Sequence, residues 1–371
     1  MSCVPSSPAD SVLNPSAIAP VAGGALPTFA PIPQAESSAL DLTLRALRPI
    51  LSRSDVTDVC INGPGEAFLD TRSGWKREQL PFADFAWCSR LARLVANATR
   101  QRIGEESPTL SASLPSGERI QVVLPPATTN ECVAITIRRP ADAIWSVREL
   151  GEKGLFARCV AASEELDEVE QELLALQQVR NFEAFLTLAV RARKNIIVSG
   201  KTGSGKTTLT KALILEIPAD ERLITIEDSR ELVLDRHPNN VRLFYSKDGQ
   251  GLARLAPKQL LESCLRMRPD RILLAELRSE EAYYYLRNVN SGHPGSITSV
   301  HASSAQLAFE QLMLLVKESP AGADLAREDI KALLYMLVDV VVQFGGDGQQ
   351  RYIKEIWYDP TRKRHALATQ N

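Results

Sequence analysis

The sequence predicts an α/β fold in which a parallel sheet with crossover helices follows a smaller α+β domain. Over residues 191–345, short apolar runs alternate with helical segments, as a parallel sheet requires. Over residues 36–140, short strand patterns separated by turn signals accompany two helical patterns. Between an apolar run and a helical segment lies Gly200–Thr207, here called the glycine loop. These observations predict two domains, of which the second carries the loop.

Composition divides the chain into five parts. Residues 1–35 are rich in Pro, Ser and Ala and carry one charged side chain, Asp10, so we expect a disordered tail. The acidic run at 163–174 is either a solvated helix face or part of a mobile linker, and both interpretations stay open. After the tail, the predicted parts are an α+β domain at 36–140, a linker with an acidic helix at 141–190, the parallel-sheet domain at 191–345, and an edge strand and tail at 346–371.

The elements of the first domain follow from hydrophobic periodicity. One amphipathic helix is predicted by four leucines that recur at helical spacing, Leu40, Leu44, Leu47 and Leu51. A strand at 55–61 runs into a turn cluster at 62–65 and pairs with a strand at 66–70. The domain is completed by a helix at 83–99 and by strands at 109–114, 119–124 and 133–138.

The elements of the second domain alternate between strand and helix. The predicted strands are 195–199, 223–226, 271–274, 296–300 and 338–344, with an edge strand at 351–357. The predicted helices are 181–191, 205–215, 257–266, 280–290, 304–317 and 327–335. The last dozen residues predict a tail.

Charge and cysteine content argue against several classes of protein. The net charge of −2 and the lack of strongly basic segments give no indication of a nucleic-acid partner. The six cysteines are scattered, so we expect reduced thiols rather than a disulfide framework or a zinc site. The sequence has no apolar run of about 18 residues, and its N-terminus lacks a basic region, so we expect neither a membrane span nor a secretory signal.

The glycine loop has the pattern of a phosphate-binding loop, two glycines five apart followed by Lys and Thr. Glycines let the backbone approach a triphosphate, whose charge is met by N–H groups at the start of the following helix. We expect Lys206 to reach the β- and γ-phosphates of ATP and the Thr207 hydroxyl to bind Mg²⁺. The residues predicted to contact the nucleotide here are Gly200, Thr202, Gly203, Ser204, Gly205, Lys206, Thr207 and Thr208.

Carboxylates follow two of the predicted strands. Glu227 and Asp228 come after the strand at 223–226, and Glu276 comes soon after the strand at 271–274. Sheets of this kind bind ligands beyond the carboxyl ends of their strands, and ATP hydrolysis needs the metal held and the attacking water oriented. Glu276 is therefore a candidate to hold Mg²⁺ or to polarise the water. Glu227, or Asp228 beside it, is the competing candidate for general base.

Two of the four histidines, His293 and His301, flank the predicted strand at 296–300. A metal site is disfavoured because no cysteine or third histidine lies at ligand spacing. Their position favours a role as sensors that hydrogen-bond differently before and after the γ-phosphate is removed.

These segments resemble, in the same order, the Walker A loop, Asp box, Walker B segment and His box of the secretion NTPases of type II and type IV secretion systems and pilus motors. The signature tract is 265–278, in which Ala275 replaces the usual Gly, and the Ser279 that follows replaces the usual Asp. These departures, with the segment 291–296 and Ser246-Lys247, resemble the type IV secretion traffic ATPase branch more than pilus-retraction motors. The resemblance covers about residues 40–345.

The resemblance implies a ring of six subunits, each with an N-terminal domain and a RecA-like P-loop NTPase C-terminal domain, with nucleotide at their junction. Family members also place arginines of the N-terminal domain on the phosphates. Arg119 and Arg138 occupy the matching positions, and Arg139 competes with Arg138 for that role. The arginines ranked lower, which could act across subunits, are Arg230, Arg254, Arg266 and Arg278.

We therefore expect a cytoplasmic, Mg²⁺-dependent ATPase, peripheral at a bacterial inner membrane, that forms a homo-hexamer and drives a type IV secretion machine. Its expected partners are inner-membrane and cytoplasmic components of that machine, and nucleic acid is not required for binding. The N-terminal domain would close over ATP, held by Arg138 and Lys206, before hydrolysis at Glu227 and Glu276. Three alternatives stay open: a type II secretion or pilus motor, a DNA-stimulated RecA-like motor, and a non-catalytic ATP-binding scaffold.

Overall fold

The structure, a computed structural model, describes residues 38–140, 143–160, 163–246, 251–253, 255–346 and 350–368. The tail expected at 1–35 lies outside these ranges, as do Lys247 and Arg254. Within them, no helix is both long enough and apolar enough to cross a membrane.

An antiparallel sheet of six strands forms the amino-terminal sheet region, in the order β3-β2-β1-β6-β5-β4. Its strands are β1 (Val56–Gly63), β2 (Glu66–Thr71), β3 (Gly74–Gln79), β4 (Thr109–Ser113), β5 (Arg119–Val123) and β6 (Ala134–Arg138). Helix α3 (Phe85–Ala98) packs its apolar side into the same core. The structure thus confirms the strands predicted here and adds β3, which has no counterpart in the prediction.

In place of the single helix predicted at residues 40–51, the structure has two short helices, α1 (Ala39–Leu44) and α2 (Arg48–Leu51). Proline stands in the first turn of α2, where its missing N–H is tolerated, but it could not continue a helix from α1. All four leucines are buried. The predicted apolar face is therefore correct although the single helix is not.

The parallel-sheet region consists of two neighbouring sheets, ordered β10-β8-β9 and β11-β7-β12-β13. Their strands are β7 (Ile196–Ser199), β8 (Leu223–Glu227), β9 (Asn240–Phe244), β10 (Arg271–Leu274), β11 (Ile297–Val300), β12 (Val340–Gly346) and β13 (Arg351–Tyr358). All pairs are parallel except β12 with β13, which confirms β13 as the edge strand. The sequence did not predict β9.

Helices connect and cover these strands. They are α6 (Phe182–Arg191), α7 (Lys206–Leu215), α8 (Pro257–Cys264), α9 (Glu281–Asn290), α10 (Ala305–Glu318) and α11 (Arg327–Leu337). Each lies within two residues of its predicted bounds. The alternation of strand and helix places the glycine loop between β7 and α7, as predicted.

The linker and the chain end contain three further helices, α4 (Val147–Glu152), α5 (Glu168–Gln178) and α12 (Pro360–Ala368). Helix α12 stands where the sequence predicts a tail. Its Arg364 donates to Glu170 of α5 at 2.8 and 3.0 Å and to Asp167 at 3.0 Å. Glu170 is buried, so the acidic side chains of α5 do not all lie on a solvated helix face.

The two sheet regions meet in a polar junction at the amino ends of β8 and β10. Trp75 of β3 donates its indole N–H to Asp270 at 2.9 Å, and Arg268 pairs with Asp70 of β2 at 2.7 Å. Arg222 reaches Asn62 at 2.8 Å. The predicted domain boundaries at 140 and 190 stay predictions.

Candidate nucleotide site

The carboxyl ends of the parallel strands bring the predicted motifs to one edge of the sheets. Residues that follow β7, β8, β10 and β11 there include the glycine loop, Asp228, Glu276 and His301. The backbone N–H of Gly200 donates to Val300 O at 3.3 Å, and that of Ala275 donates to Ile226 O at 3.1 Å. The N–H of Leu277 donates to Ser299 O at 2.8 Å and so connects the two sheets at this edge.

Close packing and backbone conformation both require glycine in the loop. A Cβ on Gly200 would lie 2.7 Å from Ser204 Oγ and 2.8 Å from Phe344 Cβ, so a side chain does not fit. Gly203 and Gly205 have φ of 73° and 105°, the left-handed region that L side chains rarely adopt. Gly205 is also the N-cap of α7 and provides no side-chain acceptor for the first N–H groups of that helix.

Lys206, the first residue of α7, is buried with its ammonium inside the loop. Its Nζ donates to Gly200 O at 3.0 Å and to Lys201 O at 3.3 Å. Burial lowers the pKa of Lys206 from its ordinary value. The side chains of Thr202, Thr207 and Thr208 are exposed beside it.

A series of charged and polar side chains extends from Lys206 across the strand ends. Lys206 Nζ lies 3.3 Å from His301 Nδ1, and His301 Nε2 lies 2.6 Å from Glu276 Oε1. The other carboxylate oxygen, Glu276 Oε2, pairs with Arg278, whose second terminal nitrogen is 3.1 Å from Asp228 Oδ2. This contact with Glu276 raises the pKa of Arg278. The structure thus joins the residues after β7, β8, β10 and β11 in one site.

Glu227 occupies a different environment from Glu276. It is fully buried, and Arg242 of β9 binds both its oxygens at 2.8 and 3.0 Å. The backbone N–H groups of Glu231 and Leu232 each donate to Oε2 at 3.0 Å, and the Thr225 hydroxyl donates to Oε1 at 2.6 Å. With every acceptor direction used, this carboxylate is placed to fix the segment after β8 rather than to take a proton from water.

The arginines of the amino-terminal sheet region form a group of their own. Arg119 and Arg138 are paired across β5 and β6 and line a pocket of about 400 Å³ together with Arg266. Arg138 also binds Asp58 at 2.8 Å. Arg139 instead donates to backbone oxygens, among them Val56 O at 3.1 Å. No residue of the glycine loop lines this pocket, so the described part of one chain does not bring these arginines to Lys206.

His293 lies away from the glycine loop. It precedes β11, whose carboxyl end carries His301, so the two histidines stand at opposite ends of one strand. Burial, followed by the charge of nearby Arg268, lowers the pKa of His293. Because Arg268 belongs to the polar junction, the described part of one chain does not bring His293 and His301 together, and the sensor role of His293 stays a prediction.

Two features of the site had little or no signal in the sequence. The sequence ranks Arg278 low, as an arginine that could act across subunits, and does not predict its contacts with Glu276 and Asp228 of its own chain. The β12–β13 hairpin lies over the glycine loop, and with Lys201 it lines a pocket of about 270 Å³ that includes Phe344 and Tyr352. The pairing of β12 with β7, almost 150 residues apart, brings the hairpin there.

Comparison with known proteins agrees with this geometry. The family model described as "Type II/IV secretion system protein" matches residues 46–343. The type IV secretion system protein VirB11 of Bartonella quintana is 47% identical, over 89% of this chain and 96% of the relative. The type IV secretion system protein PtlH of Bordetella pertussis is 40% identical, over 86% and 95%.

A solved structure is also similar over most of the chain. It is the crystal structure of the VirB11 ATPase of the Brucella suis type IV secretion system in complex with sulphate, with a TM-score of 0.83 and 45% identity. The similarity covers 88% of this chain and all of that one. The predicted fold class, a RecA-like P-loop NTPase domain preceded by a smaller α+β domain, is thereby confirmed. The chain belongs to the type II/IV secretion system protein family, and within it to the traffic ATPases of type IV secretion systems.

Proposed function

We propose that this ATPase works as a homo-hexamer that hydrolyses Mg²⁺-ATP to power substrate secretion, pilus assembly or both by a type IV secretion system. The observation that carries the proposal is the contact series from Lys206 through His301 to Glu276. It joins a phosphate-binding lysine, a polar sensor and a carboxylate at the carboxyl edge of a parallel sheet, where such sheets bind their ligands.

The glycine loop is suited to hold the phosphates. The first turn of α7 presents backbone N–H groups without a side-chain cap, and the helix dipole favours an anion there. Lys206 Nζ now donates to two loop carbonyls, which keep the ammonium within the loop. In our proposal it turns from these carbonyls to the β- and γ-phosphates, and Gly200, Thr202, Gly203, Ser204, Gly205 and Thr208 complete the cradle.

The residues present fit Mg²⁺ as the metal. Mg²⁺ in nucleotide sites usually takes one or two protein ligands, with phosphates and water supplying the rest. Glu276 Oε1 is a buried acceptor without a donor in hydrogen-bond geometry, despite its short distance to His301. The Thr207 side chain, next to Lys206 in the sequence, is exposed. Among the described residues, no group of three His, Cys, Asp or Glu forms a closed cage. Bound Mg²⁺ would neutralise charge on the phosphates, held by Thr207 and Glu276.

We assign the roles around the reacting phosphate to the residues in this series. Glu276 orients the attacking water or accepts its proton, directly or through water. His301 contacts the γ-phosphate and loses that contact after hydrolysis. Glu227 was the competing general base, and its occupied oxygens support a structural role instead. Asp228, within reach of Arg278, stays the second carboxylate of the site.

Arg119 and Arg138 supply the proposed link between nucleotide and domain motion. A guanidinium suits phosphate oxygens, so closure onto ATP would couple the amino-terminal sheet region to the nucleotide state. Because these arginines line a separate pocket, closure requires either movement between the sheet regions or a neighbouring subunit. We also propose a cytoplasmic location, peripheral at the inner membrane, with the inner-membrane and cytoplasmic components of the machine as partners and no nucleic acid required.

The proposal is tested by measuring ATP turnover and particle mass together. We expect wild type to hydrolyse Mg²⁺-ATP as a particle of about six subunits and Lys206→Ala to lose at least about 100-fold in turnover, since loss of one transition-state contact has this effect. Lys211→Ala, on the same helix α7, is the matched control and should keep wild-type turnover. A wild-type ring with ATP but no turnover above Lys206→Ala would favour the assembly scaffold and reject the motor.

A further inference from the structure

Arg278 joins two carboxylates that follow neighbouring strands. Asp228 follows β8 and Glu276 follows β10, and these strands pair in parallel. One terminal nitrogen of Arg278 pairs with Glu276 Oε2, and the other lies 3.1 Å from Asp228 Oδ2. The guanidinium fork therefore spans the gap between the two acidic segments.

The backbone that carries Arg278 is held in place. The buried carboxylate of Glu281 accepts hydrogen bonds from the backbone N–H groups of Arg278 and Ser279, and from the Ser279 hydroxyl at 2.7 Å. The N–H of Leu277 donates to Ser299 O of β11 at 2.8 Å. The side chain itself is 41% exposed. Because the backbone is anchored and the side chain is partly exposed, the guanidinium can move away from the carboxylates while the backbone of Arg278 stays in place.

The negative charges of Glu276 and Asp228 explain why a cation is needed between them. Two carboxylates facing one site repel each other, and each favours a nearby positive charge. Arg278 supplies a charge that belongs to the chain, and the divalent cation of a nucleotide site would supply another. The guanidinium and the metal therefore compete for the same carboxylates, Glu276 above all.

We propose that Arg278 is a positioning residue that holds Glu276 and Asp228 together in the metal-free state and yields them when a divalent cation arrives with nucleotide. The inference rests on the proposed function, in which Glu276 is the metal-facing carboxylate. In this role Arg278 acts within its own subunit. It sets the Mg²⁺ midpoint, which is the Mg²⁺ concentration at which half of the metal-dependent change in nucleotide affinity has occurred.

The test follows the affinity for a fluorescent ADP analogue during a Mg²⁺ titration that starts in EDTA. For Arg278→Ala we expect the Mg²⁺ midpoint to fall about fivefold or more, the lower range of couplings between competing ligands. Affinity in EDTA should fall as well, because the uncompensated carboxylates repel the diphosphate. Arg278→Lys keeps the charge without the fork and should retain most of the affinity in EDTA.

The matched control is Arg287→Ala, which removes an exposed positive charge from the neighbouring helix α9 and should leave the midpoint unchanged. The inference is overturned if Arg278→Ala and Arg287→Ala give the same midpoint and the same affinity in EDTA as wild type. Failure of wild type to bind the analogue at any Mg²⁺ concentration would reject the proposed function instead, so the two failures are distinguishable.

A double-mutant cycle separates bridging from a general charge effect. Asp228→Asn removes one of the two carboxylates that the fork joins. In that background, Arg278→Ala should shift the Mg²⁺ midpoint less than it does in wild type. An equal shift in both backgrounds would show that Arg278 does not act through Asp228 and would contradict the bridge. Melting curves confirm that each variant is folded.

Discussion

Glu227 and Glu276 follow neighbouring strands, yet their surroundings give them different chemistry. Glu227 is fully buried and accepts hydrogen bonds from Arg242, Thr225 and two backbone N–H groups. Glu276 has fewer partners: Oε1 lies 2.6 Å from His301 Nε2, outside hydrogen-bond geometry, and Oε2 pairs with Arg278. We therefore expect Glu276, rather than Glu227, to take a ligand.

Glu227→Gln tests the structural role. The substitution leaves Arg242 without its anionic partner, and breaking a buried ion pair costs about 3 kcal/mol. We expect the free energy of unfolding in urea to fall by about that amount, with the segment after β8 loosened. Unchanged stability together with a selective loss of turnover would contradict this account and return Glu227 to the role of general base.

We expect His237 to make the stability of the fold depend on pH. Its Nε2 is 3.0 Å from Ile217 O, its Nδ1 is buried without a partner among the described residues, and burial lowers the pKa of His237 from 6.5. As the pH falls below 6.5, the unfolded chain binds the proton first, so the stability present above 6.5 is lost. The loss approaches about 1.4 kcal/mol per pH unit until the folded-state pKa is reached.

The measurement is the urea midpoint at pH 7.5 and 5.5 for wild type and His237→Gln. The variant should lose less stability between the two values, because it has no imidazole to protonate at this position. His293, whose pKa is also lowered, stays in both proteins and contributes equally. A pH dependence that is the same in both would show that His237 is not the group responsible.

Among the secondary-structure elements, those that the sequence did not predict depend on tertiary contacts. The strands β7, β8, β10 and β11 are short buried runs, which the apolar pattern predicted almost to the residue. β3 is an edge strand with mostly exposed side chains, so it lacks a strand pattern. Helix α12 is strongly polar, and its ion pairs to Asp167 and Glu170 connect residues almost 200 positions apart. Such contacts are invisible to a local pattern.

Arg364→Ala tests the attachment of α5 to the parallel-sheet region. The variant leaves the buried Glu170 with Lys194 as its remaining cation, at 3.5 Å. We expect faster hydrogen exchange in α5 and a loss of about 1–3 kcal/mol of stability, the usual cost of a buried group that loses its partner. Arg148→Ala breaks an exposed ion pair in α4 and should cost less than about 1 kcal/mol. Equal effects of both variants would contradict the proposed attachment.

At the scale of the whole molecule, the site depends on topology more than on any single motif. The motifs predicted the glycine loop, Glu276 and His301, because each directly follows a recognisable strand. They could not predict that His293 lies near the polar junction or that Arg119 and Arg138 line their own pocket. Those placements depend on strand direction and on the packing of two sheet regions, which sequence spacing does not reveal.

Single-turnover ATP hydrolysis by Glu276→Gln, with nucleotide binding measured on the same sample, tests whether Glu276 acts on the attacking water. Glutamine keeps the size and a hydrogen-bonding oxygen, but it carries no negative charge and cannot accept a proton from water. We predict nearly wild-type binding of ATP and a rate at least about 100-fold lower, the usual effect of losing a general base. Hydrolysis near the wild-type rate would contradict this prediction and place the catalytic carboxylate elsewhere.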